Sequence, residues 1–199
     1  MAEKMDLRVR MTRKLLTDAL SALLIRTTFE DLSVVDICTE AQVHRTTFYK
    51  HFEDKNHLLQ NLFDLMFQEL DQQSKAFSEA DFHAQYVRMG GQILELISKN
   101  ATFFNLGVFS EGNEIVRSTF HQTMVSWLSR HLEAYSKTTR QPFALPVAVL
   151  AEHTAGSLSA LAMWWLKNNM FVSVGELVSY LDAISSGSIL LENKAAKIV

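Results

Sequence analysis

Apolar residues recur along this chain at spacings of three and four, the period of helices that bury one face. Leu16, Ala19, Leu20, Leu23 and Leu24 form the first such stripe, and Val34, Ile37, Cys38 and Ala41 a second, shorter one. Leu58, Leu59, Leu62, Phe63, Met66 and Leu70 predict a long helix from Lys55 to about Phe77. Phe82, Tyr86, Met89, Ile93 and Ile97 predict another, capped by Asp81 and ending near Lys99–Asn100. A short aromatic segment, Ala101–Phe109, precedes a helix from Asn113 to about Tyr135 that carries Phe120, Met124, Trp127 and Leu132 inward. The polar stretch Ser136–Arg140, with Pro142 and Pro146, is expected to form the longest loop. Two last helices are expected over 145–169 and 174–191, then a frayed tail, 192–199. The expected fold class is all-α, with about nine helices.

Residues 33–55, SVVDICTEAQVHRTTFYKHFEDK, stand apart from this amphipathic pattern. Ser33 and Asp36 approximate a capping box, and Leu32 and Ile37 a hydrophobic staple. Gln42 and Val43 make a turn, and Val43, Thr47, Phe48 and Phe52 anchor the helix that follows. That helix presents Arg45, Thr46, Thr47, Tyr49, Lys50 and His51 almost back to back. Its outer side is too polar for a core, and it is too short to be stable alone. On a rigid base it suits a DNA major groove, where side chains read base edges and grip the phosphates around them. With the helix at Leu16–Leu24 covering the pair and Asp54 capping a third helix, the unit reads as a helix-turn-helix.

The stripe Leu16–Ala19–Leu24, Ser33–Val34–Asp36–Ile37, Ala41, Val43, Thr47–Phe48–Tyr49, His51–Phe52 and Lys55–Leu58–Leu59 occur in one register. In that register residues 8–68 resemble the DNA-binding domain of the TetR family of bacterial transcription regulators. The resemblance implies an all-helical homodimer in which residues 1–56 bind DNA and residues 57–191 hold an effector and the dimer contact. It implies base reading by Arg45 and Thr46, and phosphate contacts from Thr47, Tyr49, His51, Lys55 and the helix end capped by Ser33. Lys50 suits either role, and His44 stands at the N-cap of the reading helix. Four positions depart from the family pattern: Thr28 and Gln42 replace glycines, Cys38 an alanine, and His44 a serine. A non-glycine residue in a left-handed turn costs on the order of 1 kcal/mol, so Thr28 and Gln42 are tolerable. Cys38 exchanges one small buried residue for another, and His44 is a weaker cap; none threatens the fold.

Composition changes this picture little. The chain has 199 residues, two prolines, seven glycines and one cysteine, which suits long helices and excludes an intrachain disulfide. Its formal charge is −3, and residues 1–57 hold nine basic against nine acidic residues. Placement matters more: Arg8, Arg10, Arg13 and Lys14 cluster in the first helix, and Arg45, Lys50 and Lys55 lie at the reading helix. No charged-then-apolar leader occupies Met1–Leu7, so secretion is not expected, the single cysteine suits a reducing cytoplasm, and the resemblance implies a bacterial protein. Ala144–Leu166 is the most apolar stretch, but Glu152, His153, Thr154, Ser157 and Ser159 interrupt it, so no membrane span is expected.

The body offers two further sets. Ala151, Ala155, Leu158 and Ala162 on the penultimate helix, with Leu177, Leu181, Ile184 and Ser188 on the last, form stripes that allow close helix approach. Periodicity alone lets them close the monomer core or pair two subunits, and the resemblance implies the pairing. Met66, Phe103, Phe104, Phe109, Phe120, Met124, Trp127 and Trp164 are either ordinary core or the lining of a site for a small apolar or aromatic effector. Seven scattered histidines lack metal-site spacing, Cys38 reads as a packed thiol, and no phosphate loop or nucleophile triad is present. No cofactor and no enzymatic activity are expected. The expected function is a repressor that binds double-stranded, inverted-repeat operator DNA. The alternative is a TetR-like co-regulator controlled by a protein partner, without a small-molecule ligand.

Overall fold

Every regular element among the described residues, 2–73 and 82–187 of the computed structural model, is helical. They are α1 (Ala2–Leu24), α2 (Val34–Glu40), α3 (Arg45–Phe48), α4 (Lys55–Gln73), α5 (Phe82–Lys99), α6 (Ala101–Phe103), α7 (Glu114–Thr139), α8 (Val147–Lys167) and α9 (Val174–Ser185). α6 runs directly into a π-helical turn, Phe104–Val108. The expected cap at Asp81, the end of α4 toward Phe77, the last turn toward 191 and the tail lie outside the described residues.

Local chemistry accounts for most of the helix starts. The Ser33 hydroxyl accepts the Asp36 N–H at 3.2 Å, and the Asp36 carboxylate accepts the Ser33 N–H at 2.9 Å. Ser33 thereby holds the Asp36 carboxyl below its ordinary pKa, through its hydroxyl first and its N–H second. Ser173 and Glu176 repeat the arrangement at α9, and Asp54 accepts the His57 N–H at 2.8 Å to open α4. α7 outruns its expected end at Tyr135. Ser136–Thr139 continue the helix, supported by the Thr139 hydroxyl on the Tyr135 carbonyl, until Arg140 stops it in a left-handed conformation, φ 58°. Gln42 takes the strained left-handed turn expected of it, φ 54°, whereas Thr28 does not. Thr28 instead donates to Asp31 at 2.7 Å, so no strain accompanies its replacement of glycine.

A single hydrophobic core runs from Leu16 in α1 to Leu181 in α9. Its centre is aromatic: the Phe120 ring lies 5.0 Å from Phe104, 5.3 Å from Phe63 and 5.9 Å from Phe67. α9 packs closely on α5 because Gly90 has no side chain, since a Cβ there would collide with Leu181. His83 and Asp182 join the same two helices at 2.6 Å.

Candidate nucleic-acid interface

The reading helix is short but holds its helical course past Phe48. Tyr49 N–H donates to the Arg45 carbonyl at 3.1 Å and Phe52 N–H to the Phe48 carbonyl at 2.9 Å. Phe48 and Phe52 are fully buried beneath it, which fixes the orientation of the outer side. Arg45, Thr46, Tyr49 and Lys50 stand exposed there, with Thr47 and His51 half-buried beside them. His44 caps the helix as expected: its Nδ1 accepts the Thr46 N–H at 3.3 Å. α1 adds a residue from outside the motif. The Arg13 guanidinium lies 4.8 Å from the Phe52 ring centroid, which seats its charge beside the reading helix. Burial, then the charges of Arg13 and Lys50, hold the His51 imidazole below its ordinary pKa. Burial raises the Cys38 thiol despite the charge of Arg45, as befits a packed, protonated side chain.

Lys55 departs from its expected role. Its ammonium donates to the carbonyls of Phe29, Glu30 and Leu32 at 2.8, 3.1 and 2.7 Å, and it also lies over the Phe29 ring. An ammonium has three donors, and all three are spent on the loop between α1 and α2. Lys55 is therefore a clamp on that loop rather than a phosphate contact. Sequence reasoning had no means of finding this, because the partners lie 23 to 26 residues away.

The expected dimer stripe also faces the other way. Ala151, Ala155, Leu158, Ala162 and Leu177 are 0% exposed and Leu181 4%, so these side chains are already enclosed within one chain. Their small size lets α8 pack against its own neighbours. Of that set Ile184 alone is exposed, and Ser188 lies outside the described residues. The outward face of α8 instead carries Val149, Glu152, Gly156, Ala160 and Trp164, and on α9 Tyr180 and Ile184 are exposed. A Cβ built on Gly156 meets nothing within 4 Å.

The expected effector set is not brought together around a space. Phe103, Phe104, Phe109, Phe120, Met124 and Trp127 are buried and packed against one another. The Trp127 indole donates to Asp71 at 2.7 Å. Met66 lines a groove against α1, and Trp164 is 44% exposed with its ring 5.6 Å from Phe171. The body does hold a cavity of about 560 Å³, between α5, α7, α8 and α9. Its apolar wall includes Phe82, Tyr86, Leu132, Leu150 and Leu161, and Thr154 and Ser157 also face it. The signal for it was the pair of hydroxyls inside the most apolar stretch of the chain. Among the described residues no cluster of metal-ligating side chains occurs, and no helix is long and apolar enough to cross a membrane.

A short exposed polar helix, seated on buried aromatics behind a tight turn, defines a helix-turn-helix DNA-binding protein. Residues 16–62 match the family model described as bacterial regulatory proteins, tetR family. Among solved structures, a TetR-family transcriptional regulator from Syntrophomonas wolfei is 18% identical and covers 92% of this chain and 98% of its own, with a TM-score of 0.65. A tetR-family regulator from Shewanella sp. PV-4 is 20% identical over 89% and 97% of the two chains, TM-score 0.66. The transcriptional regulator FadR from Bacillus subtilis, in complex with stearoyl-CoA, is 16% identical over 89% and 99%, TM-score 0.64. No curated protein matches the sequence. Residues 16–62 thus carry the DNA-binding unit of the TetR family, and the chain along most of its length takes the fold of these regulators. Proteins of this family act by binding DNA, not by catalysis.

Proposed function

We propose that this regulator is a bacterial, cytoplasmic repressor that binds an inverted-repeat operator as a homodimer and releases it when a small molecule enters the body. Residues 1–56 form the DNA-binding head and residues 57–191 the effector and dimer body. Arg45 and Thr46 read base edges, Thr47, Tyr49, His51 and the Ser33-capped helix end hold phosphates, and Lys50 serves either role. Arg13, seated on Phe52, joins the phosphate contacts.

The observation that carries this reading is that the cavity and the outward apolar face share two helices, α8 and α9. Gly156 and Ala160, flanked by Val149 and Trp164, allow a second copy of α8 to approach closely. Two heads held in this way must stand about 34 Å apart to read successive major grooves. A ligand that widens the cavity displaces the helices that set that distance. It shifts the equilibrium only by its differential affinity for the two spacings, so a 100-fold release needs about 2.7 kcal/mol of coupling.

The test is selection of bound fragments from the source genome with the purified protein, then light scattering and gel-shift titration on the selected site. Dimers bound to a two-fold symmetric sequence support the reading. A monomer at micromolar concentration, or fragments without symmetry, rejects it in favour of a co-regulator controlled by a protein partner.

A further inference from the structure

The polar lining of the cavity between α5, α7, α8 and α9 consists of three aliphatic hydroxyls, the Tyr86 phenol and the imidazoles of His83 and His153. The three aliphatic hydroxyls, of Thr154, Ser157 and Ser185, each donate to a helix carbonyl. Thr154 donates to the Leu150 carbonyl at 2.7 Å, Ser157 to the Thr154 carbonyl at 3.0 Å, and Ser185 to the Leu181 carbonyl at 2.8 Å. A carbonyl oxygen can only accept, so in these three bonds the hydroxyl is the donor. What remains toward the cavity is oxygen lone pairs.

Charge gives the second constraint. None of the lining residues is Lys, Arg, Asp or Glu. His83, at the wall, already faces Asp182 at 2.6 Å. An ion entering this space meets no Lys, Arg, Asp or Glu as counter-ion, and burying it without one is unfavourable. The remaining wall is Phe82, Leu132, Leu150, Leu161, Leu181 and Ile184, with the body of the Tyr86 ring. Its volume, about 560 Å³, is that of a small-molecule site.

We infer that the cavity selects a neutral, predominantly apolar molecule carrying a hydrogen-bond donor, of the alcohol or phenol class, in preference to a carboxylate, a phosphate or an ammonium. The inference rests on the effector reading above and narrows it. The donor meets the lone pairs of Thr154, Ser157 and Ser185, and the apolar body fills the space between the leucines and Phe82. The Tyr86 hydroxyl and the His153 imidazole, which can donate or accept, adjust to the ligand's second polar atom.

Three probes with one apolar body separate the classes: 1-decanol, decanoate and decylammonium, titrated calorimetrically into the full-length protein below their micellar concentrations. Decanol is expected to bind at least about tenfold more tightly than either ion, a difference near 1.4 kcal/mol. The double variant Ser157→Ala/Ser185→Ala, both positions exposed enough to spare the fold, should weaken decanol about three- to tenfold and leave the weaker ions unchanged. Leu161→Trp should fill the cavity and abolish binding of all three. If either ion binds as tightly as decanol, or the double variant binds decanol unchanged, the ligand class is overturned while the cavity stands as the effector site. If no probe binds the wild type, or Leu161→Trp binds as the wild type does, the cavity is not the effector site and both readings fall.

Discussion

The side-chain carbonyl of Asn113 accepts the backbone N–H of Phe29 at 2.8 Å, a bond that ties the loop of the DNA-binding head to the start of α7 in the body. Asn113 is 3% exposed and Phe29 fully buried, so no water can replace either partner. The Asn113 amide is itself held by donation to the Ser110 hydroxyl at 3.1 Å. On the other side of the loop, Lys55 takes the Phe29 carbonyl. One residue of the head is thus gripped by its N–H from the body and by its carbonyl from α4. This bond is a direct link between the start of α7 and the loop that leads into the helix-turn-helix.

Asn113→Ala leaves the Phe29 N–H buried without an acceptor, which should destabilise the protein by about 1–3 kcal/mol. Asn113→Asp retains an acceptor and should recover part of that loss. Chemical denaturation measures both, and hydrogen exchange at Phe29 locates the effect. Equal stability of Asn113→Ala and the wild type would show that the bond contributes nothing.

Lys55→Ala should act on stability rather than on phosphate binding. Three loop carbonyls lose their partner, and the melting temperature falls. The slope of log affinity against log salt should match that of the wild type, because no phosphate contact is lost. A slope reduced by about one unit would return Lys55 to the DNA backbone.

Arg45→Ala should relax sequence preference and cost about 1–3 kcal/mol on the operator if its contact to guanine is bidentate. Gel-shift titration on operator and random DNA reads the difference. Equal losses on both DNAs would place Arg45 among the phosphate contacts.

His51 should make DNA binding pH-dependent. Its folded pKa lies below the ordinary 6.5, through burial and then the charges of Arg13 and Lys50, so the free protein holds it neutral at pH 7. A phosphate beside it raises that pKa, so binding takes up a proton and affinity rises as pH falls through the bound-state value toward the lower free-state one. Stability of the free protein runs the opposite way. The unfolded state binds the proton more readily, so the contribution of His51 is full above 6.5 and is lost as pH falls through the folded value. His51→Asn should flatten both profiles, and a dependence surviving in that variant belongs to another group.

Ala160→Glu, on the outward face, should separate subunits while leaving helicity and melting nearly unchanged. Ala155→Glu, at a position 0% exposed, should unfold the body instead, because it buries an unpaired charge. Sedimentation and circular dichroism distinguish the two outcomes. Dimers in Ala160→Glu would move the interface elsewhere.

The sequence by itself determined what short-range physics decides. Ser33 with Asp36, Ser173 with Glu176 and Asp54 before α4 set helix starts through bonds spanning three residues, which are written in the order of the chain. The polar outer side of Arg45–His51 over Phe48 and Phe52 is likewise local, so the DNA-binding unit was legible. Tertiary structure alone decided which way the remaining stripes face. Ala151, Ala155 and Ala162 have the same period whether they meet a neighbour in their own chain or a second subunit, and packing turned them inward. Aromatic spacing could not distinguish the filled centre around Phe120 from a cavity wall. The observed space lies at Phe82, Leu132 and Thr154, where four helices separated in the chain fail to close completely. Lys55 and Asn113 follow the same rule: their partners stand tens of residues away, and a long-range bond leaves no periodic trace in a sequence.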